Sequence, residues 1–363
     1  MKSSTKPLPR DGFPAPKSGW SGTGWRAAQI VTLAATVALI AGLVVWPATA
    51  LRVLWNLLIP ILPITFLLAP HLWRGICPLA TLNQCTSGAL GHRKLRGRHL
   101  MAANVLGIVL LAVLVPARRF LFNENGPALA ATIVAVALAA LVLGALFDGR
   151  AGFCNAVCPV LPVERLYGQH PLWKLDHHRC DGCTLCIPKG CLDLAPAKSI
   201  LAATGPETGG NHWLTTAYGI FAAAMPGFII GYFTTSNVSW TEAPRVYLWV
   251  ALCSAGSYLV AALAVRFLGL TRPVSLALLA AVAVALYYWW AAPLITDALS
   301  LPTVCALVAR GALLLLVALW LMRTWPRLQA NRSQAPGRTT PACGPQATPC
   351  EGPTLPDEQT RVP

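Results

Sequence analysis

Residues 127–147 read PALAATIVAVALAALVLGALF, and residues 148–159 continue directly as DGRAGFCNAVCP. The first part holds no charged residue, and its only hydroxyl is Thr132. At about 1.5 Å per residue it extends about 32 Å as a helix, close to the thickness of a bilayer's hydrocarbon core. In lipid every backbone N–H and C=O needs a partner within the segment, so the stretch is expected to be a membrane helix. The second part places Cys154, Cys158 and Pro159 just beyond the end of that helix. The chain therefore reads as one that delivers thiols to a bilayer surface.

The same apolar character recurs along the 363 residues. About eight stretches are long enough to cross: 27–47, 51–70, 100–116, 127–147, 213–234, 246–268, 274–294 and 302–322. The third is the shortest. The composition agrees, with 55% hydrophobic and 11% charged residues. A soluble domain carries about 25% charged residues. The fold class expected is an all-α integral membrane protein of about eight transmembrane helices with a cytoplasmic ferredoxin-like iron–sulfur loop.

The net charge of +15 would suggest nucleic acid in a soluble protein. Here the basic residues lie between apolar runs, so membrane lipid and topology account for them and no nucleic-acid partner is expected. With the N-terminus inside, the inner segments carry 23 of the 28 Lys and Arg. The outer segments carry Arg52, Arg118, Arg119 and Arg245, and Arg310 lies within a span. This bias puts both termini and the cysteine loops on the cytoplasmic side of a bacterial inner membrane. The organisation that follows is an N-terminal segment 1–26, four helices over 27–147 with a Cys-Pro loop at 71–99, a loop at 148–212, four helices over 213–322, and a tail 323–363 rich in Pro, Gly, Thr and Gln, expected to be disordered. A rival reading takes Ala48-Thr49-Ala50 as a signal-peptide cleavage site. The polar leader of 26 residues is long for that, and the apolar run is long enough to span.

Eight of the twelve cysteines fall in the two inner loops: Cys77, Cys85, Cys154, Cys158, Cys180, Cys183, Cys186 and Cys191. Cytoplasmic thiols stay reduced, so such a concentration points to metal binding and not to disulfides. Cys180-Asp-Gly-Cys183-Thr-Leu-Cys186 is a C-x2-C-x2-C run, the ligand spacing of a bacterial ferredoxin. The bacterial pattern continues x3-Cys-Pro. Here Cys191 follows after four residues and is succeeded by Leu192. The absent Cys-Pro has counterparts upstream, in Cys158-Pro159 and in Arg74-Gly-Ile-Cys77-Pro78. Two helical hairpins thus each end in a Cys-Pro, a weak internal repeat in which Trp73 stands where the first cysteine of the later motif would be. Eight thiols suit one or two [4Fe–4S] clusters. The trailing-cysteine rule suggests one set of Cys180, Cys183, Cys186 and Cys158, and a second of Cys191, Cys154, Cys77 and Cys85. Structural zinc is the alternative, although zinc sites generally pair two C-x2-C units across a gap. His177 and His178, beside Cys180, are further candidate metal neighbours.

With these residues in view, the chain resembles the membrane-bound polyferredoxins of the NapH, NosR and MauN type. The resemblance rests on Gly149-Arg150 with Cys154, Cys158 and Pro159, on Arg74 to Pro78, and on Cys180 to Cys191, within residues 50–200. It implies a [4Fe–4S] electron-transfer protein. Electrons would pass between a redox partner and either the quinone pool or a soluble ferredoxin- or flavodoxin-like donor, with another membrane or periplasmic redox subunit as partner. The corresponding enzyme class is a quinol-dehydrogenase-type electron carrier. The family usually carries two full ferredoxin motifs, and this chain has one irregular one. The helices after 213 lie outside the resemblance.

Two other functions suit the same sequence: an iron–sulfur assembly or maturation factor for another metalloenzyme, and a transporter with a structural metal site. The second lacks intramembrane carboxylates and matched broken helices. Neither a nucleotide-binding glycine loop nor a C-x-x-C-H haem motif is present. The run Arg93-Lys94-Leu-Arg96-Gly-Arg98 suits anionic lipid, or docking of an acidic donor protein. Tyr287 to Trp290 read as an interfacial aromatic belt or a quinone-stacking patch. Arg310 reads as snorkelling outward, with a quinone oxygen or Asp297 as alternative partners. Cys253 and Cys305 read as packing residues.

Overall fold

The computed structural model describes residues 22–87, 89–91, 93, 95, 97–147, 152–173, 196–205 and 211–333. Among them the chain is helical, with thirteen α-helices and no strand. These are α1 (Gly22–Val45), α2 (Pro47–Val53), α3 (Ile59–Leu68), α4 (Pro70–Ile76), α5 (Pro78–Cys85), α6 (Gly97–Ala117), α7 (Gly126–Leu146), α8 (Leu161–Tyr167), α9 (Pro196–Ala203), α10 (Ala217–Thr234), α11 (Ala243–Phe267), α12 (Arg272–Ala298) and α13 (Thr303–Ser333). Eight helical stretches are long and apolar enough to cross a membrane, and each coincides with one of the expected runs. The third is longer than its apolar core suggests, reaching from Gly97 to Phe122. A π-turn at Arg118–Phe122 carries it through two arginines. That is possible because both cations find partners in place. Arg118 lies 4.7 Å from the Trp55 ring and donates to the Tyr232 hydroxyl, while Arg119 donates to the Tyr232 carbonyl and to Asn237. α13 likewise runs on to Ser333, beyond the expected end of its span.

The second span is broken in its middle. A π-turn at Leu54–Leu58 joins α2 to α3, and Pro60 and Pro63 deprive α3 of backbone donors. The Tyr288 hydroxyl from α12 enters the gap. It accepts from the Ile64 N–H at 2.8 Å and donates to the Pro60 carbonyl at 2.8 Å. Those two groups would otherwise bond to each other as residues i and i−4 of a helix. The side chain therefore mends an opened helical ladder, which is how helix breaks survive in lipid.

Two helices form the centre. Over their apolar windows α10 is 61% and the α12 span 56% buried, against 6% for α1 and 17% for α11 and α13. Small residues make this possible, because lipid offers no hydrophobic drive between helices and association relies on close packing. Ala277, Ala280, Ala283, Ala291 and Ala292 of α12 are wholly enclosed. Gly227 of α10 lies directly on the Cys253 backbone of α11, and Ser257 donates to the Ala223 carbonyl at 2.8 Å. Cys253 is thus a packing residue, as its position in an apolar helix suggested.

Contacts between the helices separate the two ends of the bundle. At one end the first turns of α1 meet α4, α5 follows α7, and Trp320 of α13 donates to the His170 carbonyl at 2.6 Å. At the other end Val238 donates to the Arg119 carbonyl. The first end collects Cys77, Cys154 and Cys158, together with the first described residues of α1 and the last turns of α13.

Candidate functional site

Cys77 stands at a corner between two short helices. α3 ends at Leu68, Pro70 opens α4, and Pro78 opens α5. Cys77 itself is extended (φ −57°, ψ 124°), the conformation that a following proline favours. α1 fixes the corner by supplying partners for the last carbonyls of α4. Gln29 donates to the Gly75 carbonyl at 2.9 Å and Thr32 to the Ile76 carbonyl at 2.7 Å. The Trp25 ring lies against Gly75 where a Cβ would otherwise stand. The corner is therefore built from the membrane domain and does not hang from it.

Cys154 and Cys158 lie in a compact turn after α7. The N–H groups of Ala156, Val157 and Cys158 all converge on the Phe153 carbonyl, at 3.1, 3.0 and 3.0 Å. The carbonyls of Val157 and Cys158 press on Gly107 of α6, where even a methyl group would crowd them. The Cys154 thiol faces the Asn83 side-chain oxygen at 3.9 Å. Asn83, fully enclosed on α5, donates in turn to the Ala140 carbonyl of α7 at 3.0 Å. Gly144 lets α5 lie this close, because a Cβ there would strike the Asn83 backbone. The Cys158 thiol is pushed well above its ordinary range, first by burial, then by Cys154 and Cys77, with the Val160 N–H bonded to the sulfur acting the other way. Cys77 and Cys154 therefore both lie near enough to the Cys158 thiol for their charge to oppose its ionisation.

A buried polar network joins the two corners. Arg74, one turn before Cys77, donates to the Asn155 side-chain oxygen at 2.6 Å and pairs with Glu164 at 3.4 Å. Asn155 lies between Cys154 and Cys158, and Glu164 is on α8. Next to it Arg165 donates to Asn104 at 2.9 Å and to the Tyr218 hydroxyl at 3.0 Å. Six of the seven residues of α8 are buried, both charges included. Arg74 is visible in sequence as part of a Cys-Pro motif. Glu164, Asn155 and Arg165 escape sequence reasoning, although a Glu-Arg pair inside the apolar stretch LPVERLY is the available signal.

Cys85, the last residue of α5, is exposed and lies about 12 Å along that helix from Cys77. Cys180, Cys183, Cys186 and Cys191, with His177, His178 and the C-terminal Cys343 and Cys350, lie outside the described residues. Among the described residues no three His, Cys, Asp or Glu side chains converge so as to hold a single metal ion. The aromatic run on α12 divides. Tyr288 is buried on α3, Trp290 stacks on Phe233 at 5.5 Å, and Tyr287 meets both Phe233 and Tyr288 edge-on. Only Trp289 is exposed like a belt residue. Arg310 donates to the Trp289 carbonyl at 2.8 Å and covers its ring at 4.9 Å, so its partner is Trp289 and not Asp297.

No protein-family model, curated protein or solved structure matches this chain. Among the described residues, eight helices long and apolar enough to cross a membrane mark the chain as a membrane protein.

Proposed function

We propose that the chain is a membrane-bound [4Fe–4S] electron-transfer protein of the polyferredoxin type, with its cysteine site at the cytoplasmic face of a bacterial inner membrane. The observation that carries this reading is the meeting of Cys77, Cys154 and Cys158 at one end of the bundle. Residues 77 and 158 come from hairpins about eighty positions apart, and the C-x2-C-x2-C run 180–186 lies in the same inter-span loop as the second of them. The positive-inside bias assigns that end to the cytoplasm.

The C-x2-C-x2-C run supports a cluster over zinc, because structural zinc sites generally pair two C-x2-C units across a gap. Cys180, Cys183, Cys186 and Cys191 would complete the ligand set, with Cys85 as the outlying member. A bound cluster supplies one-electron chemistry at a potential governed by hydrogen bonds, burial and nearby charge. The residues of the chain provide those influences. Val160 directs an N–H at the Cys158 sulfur, Phe153 and the α6 backbone enclose the turn, and Arg74 brings a permanent cation. The basic residues of the run 93–98 suit an acidic soluble donor by charge, and quinol is the alternative source of electrons.

Paramagnetic resonance of dithionite-reduced membranes, followed by a quinol titration, tests the reading. A reduced-cluster signal is expected. Clusters that quinol neither reduces nor oxidises would assign the donor to a soluble protein, and zinc without a reduced-cluster signal would end the proposal.

A further inference from the structure

We infer that Arg74, Glu164 and Asn155 form the positioning device of the cysteine site, locking the two Cys-Pro corners together and setting the charge felt at the thiols. This rests on the iron–sulfur reading above. Three observations carry it. The residues sit where a link has to be: Arg74 is three positions before Cys77, Asn155 lies inside the Cys154–Cys158 turn, and Glu164 follows six positions after Cys158. The link is buried, with side-chain exposures of 4% for Arg74 and 10% for Glu164 and a residue exposure of 2% for Asn155. And the guanidinium uses separate nitrogens for separate elements, NH2 for the Asn155 amide oxygen and NH1 for the Glu164 carboxylate.

Stability alone is a poor reason for such a pair. Desolvating two charges costs several kcal/mol, and apolar side chains of similar volume often do as well or better. A permanent cation whose partner Asn155 lies between Cys154 and Cys158 has a different use. It offsets the negative charge that accumulates when the site accepts an electron, while Glu164, within reach of Cys158, opposes it. The rigid fork of arginine also sets the distance between the corners, which a lysine ammonium on its flexible stem would not.

The test uses the full chain purified in detergent, comparing wild type, Arg74→Gln, Arg74→Lys and Glu164→Gln by iron per folded chain, reduced-cluster resonance and redox titration. Removing the cation should lower the midpoint potential, and removing the carboxylate should raise it. Arg74→Lys keeps the charge and should hold the potential close to wild type, while cluster retention against a chelator falls about tenfold, as for other residues that orient metal ligands. Opposite shifts are something a merely structural pair would not produce. If Arg74→Gln does not accumulate, Glu164→Gln and Arg74→Lys still decide. Potentials and spectra unmoved in all variants, or shifts in one common direction, would overturn this inference alone. A wild type without any cluster would overturn the iron–sulfur reading and this inference with it.

Discussion

The two Cys-Pro corners look like copies in sequence and differ in construction. The first, at Cys77, is a joint between α4 and α5, held from outside by Gln29 and Thr32 of α1. It offers one thiol, with Trp73 in the place of a second. The corner at Cys154–Cys158 is held from inside, by three amides on the Phe153 carbonyl. It offers two thiols and, through Asn155 and Glu164, the acceptors for the cation of the first. The difference teaches that the repeat does not build two equal sites. It builds two complementary halves, one cationic with a single thiol, the other anionic with two.

The largest expected effect comes from removing the thiols that meet. Cys158→Ala or Cys77→Ala should abolish most of the reduced-cluster signal, because each removes a ligand at the shared edge of the two corners. A signal kept in full by Cys77→Ala would break the complementarity and leave the first corner structural. Next in size is Gly144→Val, which drives side-chain atoms into the Asn83 backbone and pushes α5 off α7. A cost of about 1–3 kcal/mol is expected, read as a lowered unfolding midpoint in detergent, with iron lost alongside. Tyr288→Phe should cost about 1–3 kcal/mol by leaving the Pro60 carbonyl and Ile64 N–H without their partner. It should spare the cluster signal, because the break it mends lies away from both corners. The smallest effect is expected of Cys85→Ser. Exposed at the far end of α5, it should leave the signal within about twofold, its outlying place giving it little share in the site. A loss as deep as that of Cys77→Ala would make Cys85 a full ligand.

Much of the fold is legible in the sequence, because the bilayer imposes a length and an apolar composition that few other structures satisfy. The eight spans follow from that. Their ends are less legible. Adjacent arginines at 118 and 119 read as the close of a span, yet the helix passes through them because Trp55 and Tyr232, on other helices, receive both. Which helices lie at the centre is also hidden, since α1 is as apolar as α12. Alanine content does not reveal it either, since α7 is as rich in alanine as α12 and only 28% buried.

The site shows the same division. The cysteines announce themselves by spacing. The Arg74–Glu164–Asn155 link does not, because its members lie up to ninety positions apart and each has an ordinary local context. The helix α8 is hidden for a related reason. Seven residues are too few to show a period, and its two charges suggest a solvated loop until Asn104, Tyr218 and Arg74 are seen around them. The aromatic run at 287–290 warns against reading a cluster of one residue type as one feature, since its members serve three different neighbours.

The central claim is that thiols from both corners hold iron together with the loop between the fourth and fifth spans. Metal and acid-labile sulfide contents of the purified full chain, for wild type and for the Cys77→Ala, Cys154→Ala, Cys158→Ala triple variant, test it most directly. About four or eight irons per wild-type chain with matching sulfide, according to one cluster or two, are predicted, with a clear loss in the triple variant. Zinc in place of iron, or iron content untouched by the triple substitution, would contradict it.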